Sequence, residues 1–159
     1  MFTVSLAVDL RTPVDDVWAT YADFGDVQRW SPVVAKSYLT SQTTEGVGVA
    51  RHCDLVPRGE IDEVISEWSP GVRMVVNVEP AGPIAAQQMT IDFIGTENSS
   101  SVRMTFEVTL QPRAEERGDA IAESFRGVLR STLAGLRHYL TTGERVDETT
   151  HLSIDGIHE

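Results

Sequence analysis

The sequence predicts an α+β domain in which a curved antiparallel sheet of seven strands wraps around one long C-terminal helix. Segments of alternating apolar and polar residues recur along the chain, and turn-like connections join most of them. A single long amphipathic segment follows these strands. With 159 residues, the chain is long enough for one such domain with its own core.

The predicted order begins with one strand and two short helices. Residues 2–10 alternate between apolar and polar side chains, which is typical of a half-buried strand. Thr12 and Pro13 favour a helix start with Thr12 as the cap. The apolar residues that follow fall on one face of this helix. A second short helix or turn is expected to end near Trp30, because Pro32 disfavours helical backbone before it.

Six further strands and the long helix complete the predicted domain. The strands are expected at 33–39, 47–56, 60–68, 72–79, 87–94 and 102–110. After a loop at 111–119, apolar residues recur at helical spacing from Ala120 to Leu140, and Gly143 is expected to end this helix. The domain is therefore expected to span 1–143, followed by an acidic tail at 144–159 without periodicity, which we expect to be mobile.

This arrangement predicts an internal pocket. A strongly curved sheet leaves one face bare, and only the C-terminal helix is long and apolar enough to cover it. The two short helices are needed to cap one end of the sheet. The gap that remains is expected to bind a small, mostly apolar molecule.

Bulk properties exclude several classes of function. The net charge of −11 disfavours nucleic acid and anionic membrane surfaces as partners. The single cysteine and the absence of a signal-like N-terminus favour a reducing compartment, the cytoplasm. No segment is apolar for long enough to suggest stable membrane insertion. The sequence has neither a phosphate-binding glycine loop nor a zinc pattern, so we expect no cofactor and no metal. We expect the protein to be a monomer or a homodimer.

Several short segments resemble the START-like polyketide cyclase/dehydrase superfamily, also called SRPBCC. They are Gly46–Arg51, Gly59–Glu63, Glu67–Met74, the opening Pro13–Trp18, with Asp23 and Trp30 after it, and the ending Leu136–Glu144. The resemblance covers roughly residues 3–143. It implies a helix-grip fold with an internal cavity for lipids, polyketides or other apolar molecules. It does not imply one activity, because members of the superfamily include carriers, receptors and cyclases.

Arg51 and Glu63 are the foremost candidates for a polar site inside the pocket. Each has apolar neighbours two residues away, so strand alternation places both side chains on the inward face. The two strands form a predicted hairpin, in which the two residues could face each other. A plain internal salt bridge, or a twist that exposes both, is the alternative to a role in ligand binding.

Other inward-facing residues are candidates for the apolar wall of the pocket. Among the aromatic residues these are Trp30, Tyr38 and Phe125, and flexible methionines suit a cavity that accepts varied ligands. Packing in an ordinary core would explain the same residues. The full set of candidate binding residues is Trp30, Arg51, Glu63, Met74, Val76, Met89, Ile91, Met104, Phe106, Phe125 and Leu129.

Three functions are compatible with these patterns. The first is a binding or carrier protein without catalysis, since no catalytic constellation is recognisable. The second is an aromatase/cyclase-type enzyme acting on a polyketide chain, in which Arg51 would stabilise an enolate and Glu63 would act as a base. The third is a stress or toxin–antitoxin partner in which the cavity is incidental. The sequence favours the first without naming a ligand.

Overall fold

The computed structural model describes residues 1–159 and has the predicted α+β architecture. The strands are β1 (Phe2–Leu10), β2 (Val34–Leu39), β3 (Ala50–Leu55), β4 (Glu60–Ser69), β5 (Arg73–Val78), β6 (Ile84–Gly95), β7 (Ser100–Leu110) and β8 (Ile157–His158). The α-helices are α1 (Val14–Ala22) and α2 (Gly118–Thr142), and 3₁₀ helices span Phe24–Arg29 and Pro112–Arg117. The predicted loop at 111–119 thus contains one of these 3₁₀ helices.

All strands belong to one antiparallel sheet in the order β2-β3-β4-β5-β6-β7-β1-β8. The sheet has eight strands rather than the seven predicted, because two residues of the tail pair with Ala7 and Val8 at the edge of β1. Register shifts interrupt the pairing of β2 with β3, of β4 with β5 and of β6 with β7. Such irregularities bend and twist a sheet, which helps it to curve around a helix.

The long helix supplies most of the cover for the inner face of the sheet. Its buried side chains include Leu129, Leu133 and Leu136, which are completely shielded from solvent. They join a single core cluster with the inward-facing residues of the sheet. The helix ends where Gly143 adopts φ of 73° and its N–H donates to the carbonyl of Tyr139, the stop that the sequence predicts.

The first helix fills one end of the sheet with aromatic residues. Trp18 packs edge-on against Trp68 and Phe93, with ring centroids 5.2 Å apart in both pairs. Thr12 does not cap this helix as predicted. Pro13 instead occupies the cap position with extended backbone (φ −56°, ψ 144°), and its carbonyl accepts from the amides of Asp16 and Val17.

The tail lies against the domain, although its composition predicts mobility. Val146 is 1% exposed, and its amide donates to the carbonyl of Arg29. Arg137 of α2 donates to the carbonyls of Ser153 and Asp155, and Ile157 and His158 form β8. Apart from the buried Val146 side chain, the tail uses mainly backbone groups in these contacts, which leave no periodic pattern of side chains in the sequence.

No helix in the chain combines the length and the apolar character required to cross a membrane.

Candidate functional site

A cavity of about 250 Å³ lies between the inner face of the sheet, α2 and the 3₁₀ helix Phe24–Arg29. Fifteen of its 20 lining residues are hydrophobic, and the other five are Ser31, Arg51, Glu63, Gln87 and Thr132. Val128 of α2 is 37% exposed and marks an opening to solvent. The enclosure can therefore hold a small apolar molecule while presenting a few polar groups to it.

The register of the β3–β4 hairpin brings Arg51 and Glu63 together. They are direct cross-strand partners, and Arg51 Nε donates to Glu63 Oε1 over 2.9 Å. Both residues are more than nine-tenths buried, with 7% and 6% of their surface exposed. Both line the cavity. A charged pair at such depth is held by mutual attraction and by further hydrogen bonds.

Phe24 anchors the guanidinium from a second direction. Its carbonyl accepts from Arg51 Nη1 over 3.0 Å, and its ring lies 3.7 Å from the guanidinium carbon. This cation–π contact covers one face of the guanidinium. Arg51 is consequently fixed in position by a carboxylate, a carbonyl and an aromatic ring.

Tyr21 and Cys53 lie near the pair and are held in their neutral forms. Burial raises the pKa of the Tyr21 hydroxyl, against the opposing effect of Arg51, and this hydroxyl donates to Met104 Sδ over 3.3 Å. Burial also raises the pKa of the Cys53 thiol to about 12, although Arg51 lowers it. The thiol lies 3.6 Å from Glu63 Oε1. Cys53 is therefore poorly suited to act as a nucleophile.

The structure separates the predicted site residues into two groups. Eight line the cavity: Trp30, Arg51, Glu63, Met89, Ile91, Met104, Phe106 and Phe125. Met74, Val76 and Leu129 do not line it and are fully buried in the core. Met74 pairs across the strands with Trp68, on which Trp18 packs, so the aromatic residues of α1 fill that end of the sheet. Tyr38 is 48% exposed and lies beside His52, outside the cavity.

Sequence reasoning missed several lining residues, among them Tyr21, Phe24, Ile61 and Val128. Tyr21 falls on the apolar face of α1, and Ile61 shares the inward alternation with Glu63. That pattern could have suggested Ile61. No local signal distinguishes Phe24, since its contact with Arg51 joins segments that are 27 residues apart.

His52 forms a separate polar cluster on the outer face of the same hairpin. Its Nδ1 lies 2.8 Å from Asp62, and its Nε2 lies 3.2 Å from Asp54 and 3.6 Å from Glu60. His52, Asp54 and Glu60 present atoms close enough together to hold a metal ion. Both imidazole nitrogens already lie within hydrogen-bond distance of carboxylates, so the cluster by itself does not indicate a metal site.

Comparison with known proteins identifies the family. Residues 1–141 match the family model described as polyketide cyclase / dehydrase and lipid transport. The chain belongs to this family. No curated protein matches it.

Solved structures of other proteins show the same fold. XoxI from Bacillus cereus has a TM-score of 0.74 at 18% identity, over 89% of this chain and 97% of that chain. The di-domain ARO/CYC protein BexL, from the BE-7585A biosynthetic pathway, has a TM-score of 0.76 at 16% identity, over 89% of this chain. The di-domain ARO/CYC protein StfQ, from the steffimycin biosynthetic pathway, has a TM-score of 0.75 at 12% identity, over 87% of this chain. This chain covers 47% of BexL and 50% of StfQ.

Proposed function

We propose that the protein binds or transports a small, mostly apolar molecule in its internal cavity, with the polar end of the molecule at Arg51 and Glu63. The observation that carries this proposal is a predominantly hydrophobic wall with one buried ion pair in it. Apolar walls supply most of the affinity in such sites, and a few polar groups orient the ligand.

The size of the cavity limits the ligand. Its volume of about 250 Å³ lies just below the roughly 300–1,000 Å³ of ordinary small-molecule pockets. A molecule with a single ring or a medium-length alkyl chain fits such a space, whereas a long polyketide chain would need additional room. The volume therefore favours a carrier or receptor of small molecules over an enzyme that folds a long chain.

A pair of valine-to-tryptophan variants tests this proposal. Val128→Trp places a large ring at the cavity opening, whereas Val47→Trp alters a 65% exposed residue that does not line the cavity. Native mass spectrometry of the purified protein, followed by identification of extracted small molecules, is expected to find a bound ligand in the wild type and in Val47→Trp. Occupancy should fall strongly in Val128→Trp. Equal occupancy in all three proteins would place the ligand elsewhere and contradict the proposal.

An aromatase/cyclase-type enzyme is the second candidate, and the pairing of Arg51 with Glu63 inside a cavity favours it. The similarity in fold to BexL and StfQ agrees with this candidate. Glu63 would remove a proton from a carbon between two carbonyls, and Arg51 would stabilise the enolate oxygen. The enolate would then form a carbon–carbon bond with a second carbonyl of the chain, and loss of water would follow.

Incubation with a short poly-β-ketone thioester tests the enzyme. Cyclised, dehydrated product is expected to accumulate with the wild type, and Glu63→Gln should slow its formation by about 10²–10⁴-fold, the usual contribution of a general base. Glu60→Gln, on the outer face of the same strand, is the control and should react like the wild type. Absence of turnover by the wild type would reject this candidate and leave the binding function standing.

A further inference from the structure

The buried ion pair leaves one guanidinium nitrogen and one carboxylate oxygen without a hydrogen bond. Arg51 donates through Nε and Nη1, but its Nη2 makes no hydrogen bond. Glu63 Oε1 accepts hydrogen bonds from Arg51 Nε and from the Cys53 thiol, whereas Oε2 accepts no hydrogen bond. Among fully buried side-chain nitrogen and oxygen atoms, only Ser100 Oγ lacks a partner. Because Nη2 and Oε2 also lack partners, neither atom is fully buried. Both atoms therefore border open space, and the cavity that both residues line provides it.

The charge of the pair restricts what can occupy this space. Arg51 and Glu63 together carry no net charge, so an anionic ligand would share Arg51 with a carboxylate that repels it. Few other polar groups in the cavity could replace the hydration that an anion loses. Phe24 holds the guanidinium from the other side, so Arg51 is not free to turn away from Glu63 towards a second anion.

We propose that the cavity selects uncharged ligands whose polar end carries a hydrogen-bond acceptor next to a donor, and that it rejects carboxylates such as free fatty acids. A primary carboxamide has this pattern, because its carbonyl can accept from Nη2 while its N–H donates to Oε2. A ligand of this kind satisfies both unused atoms and adds no charge. This inference rests on the proposed binding function and names the chemical class of ligand.

Three probes of nearly identical shape test the inference. Octanamide offers an acceptor and a donor, nonan-2-one replaces the donor with a methyl group, and octanoate is an anion with acceptors only. Isothermal titration calorimetry at pH 7 is expected to show that octanamide binds the wild type at least about tenfold more tightly than octanoate. It should also bind several-fold more tightly than nonan-2-one, which leaves Oε2 unsatisfied.

Two variants extend the test. Glu63→Gln removes the competing carboxylate and leaves a buried cation, so octanoate should become the preferred probe. Glu60→Gln removes a carboxylate from the exposed face of the same strand and should leave the order of affinities unchanged. The comparison of probes on the wild type decides the inference even if Glu63→Gln fails to fold.

The outcomes separate this inference from the proposed function. Octanoate binding as tightly as octanamide to the wild type, or more tightly, would overturn the selectivity and leave the binding function intact. Failure of all three probes to bind the wild type would count against the binding function itself, and the inference would fall with it.

Discussion

At the scale of single residues, burial decides which charges matter. Arg51 forms its ion pair inside the domain, whereas the exposed Arg73 forms a comparable pair with Asp92, in which Nε and Oδ1 are 2.7 Å apart. Removing one partner of a buried pair leaves an uncompensated charge, which costs about 3–5 kcal/mol. An exposed pair contributes only about 0–1 kcal/mol.

Two arginine-to-alanine variants should therefore differ clearly in stability. Arg51→Ala is expected to lower the free energy of unfolding by about 3–5 kcal/mol. Arg73→Ala should lower it far less, because solvent screens the exposed pair. Urea denaturation measures both. Replacement of Arg51 and Glu63 together by apolar residues of similar volume should recover much of the loss. A small effect of Arg51→Ala would show that the pair is more hydrated than its burial indicates.

His52 provides a prediction about pH. Its hydrogen bond to Asp62 is the main cause of a raised pKa, which burial partly opposes. A histidine with a raised pKa in the folded state stabilises the protein fully below its unfolded pKa of about 6.5. That stabilisation is lost as the pH rises through the higher folded value. Asp62→Asn is expected to lower the pKa of His52, as followed by NMR titration of the imidazole.

Glu107→Gln is the matched control for this titration. Glu107 is an exposed carboxylate on β7, away from the β3–β4 hairpin, and its loss should leave the pKa of His52 unchanged. A titration curve of His52 that is the same in Asp62→Asn and in the wild type would show that the hydrogen bond does not set its pKa.

At the scale of elements, close packing fixes where α2 lies. A Cβ on Gly135 would come within 2.4 Å of the Trp30 carbonyl oxygen and 2.7 Å of Pro32 Cδ. Gly127 on the same helix has nothing within 4 Å of the corresponding position. The helix thus approaches the segment that ends the first 3₁₀ helix so closely that only glycine fits.

Alanine at these two glycines should act in opposite directions. Gly127→Ala is expected to stabilise the protein by up to about 1 kcal/mol, because alanine favours helix. Gly135→Ala should destabilise it by about 1–3 kcal/mol, since backbone must move to admit the methyl group. Thermal unfolding of both variants checks this. Stabilisation by Gly135→Ala would indicate that α2 can shift at no cost.

The docked tail is expected to contribute to the stability of the domain. Truncation after Gly143 removes the buried Val146 and the edge strand β8. Burial of one such side chain contributes about 1.5–3 kcal/mol. Truncation should lower the melting temperature by roughly 3–12 °C, since each kcal/mol shifts it by about 2–4 °C in a chain of this size. Val146→Ala should reproduce part of this loss, and Val72→Ala, at a 62% exposed position, should not. A change of only a degree or two would show that the tail is mobile, as its composition predicts.

At the scale of the whole molecule, ligand binding and stability are linked. A ligand that binds only the folded state raises the protein's free energy of unfolding by about 2.7 kcal/mol when the free ligand concentration is one hundred times the dissociation constant. Octanamide at that excess should therefore raise the melting temperature by roughly 5–10 °C. Val128→Trp should show little shift under the same conditions, because its ring occupies the cavity opening. An equal shift in both proteins would contradict binding in the cavity.

The sequence by itself determined the local elements and the family. Period-two alternation placed seven strands near their observed positions. The helical period with its glycine stop predicted a helix from Ala120 to Leu140, where α2 spans Gly118–Thr142. The same alternation predicted that Arg51 and Glu63 share the inner face and could meet across the hairpin, because strand parity follows from local backbone geometry. Their role in binding a ligand stays a prediction.

Only the tertiary structure decided which inward residues border the cavity. Met74, Val76 and Leu129 have the same apolar character as Met89 and Ile91, yet they lie in the filled core. The difference depends on where α1 and α2 pack, and those contacts join residues far apart in the chain. The docking of the tail is decided in the same way, by one isolated buried side chain, Val146, and by hydrogen bonds to backbone groups, which depend on three-dimensional proximity and leave no periodic side-chain pattern.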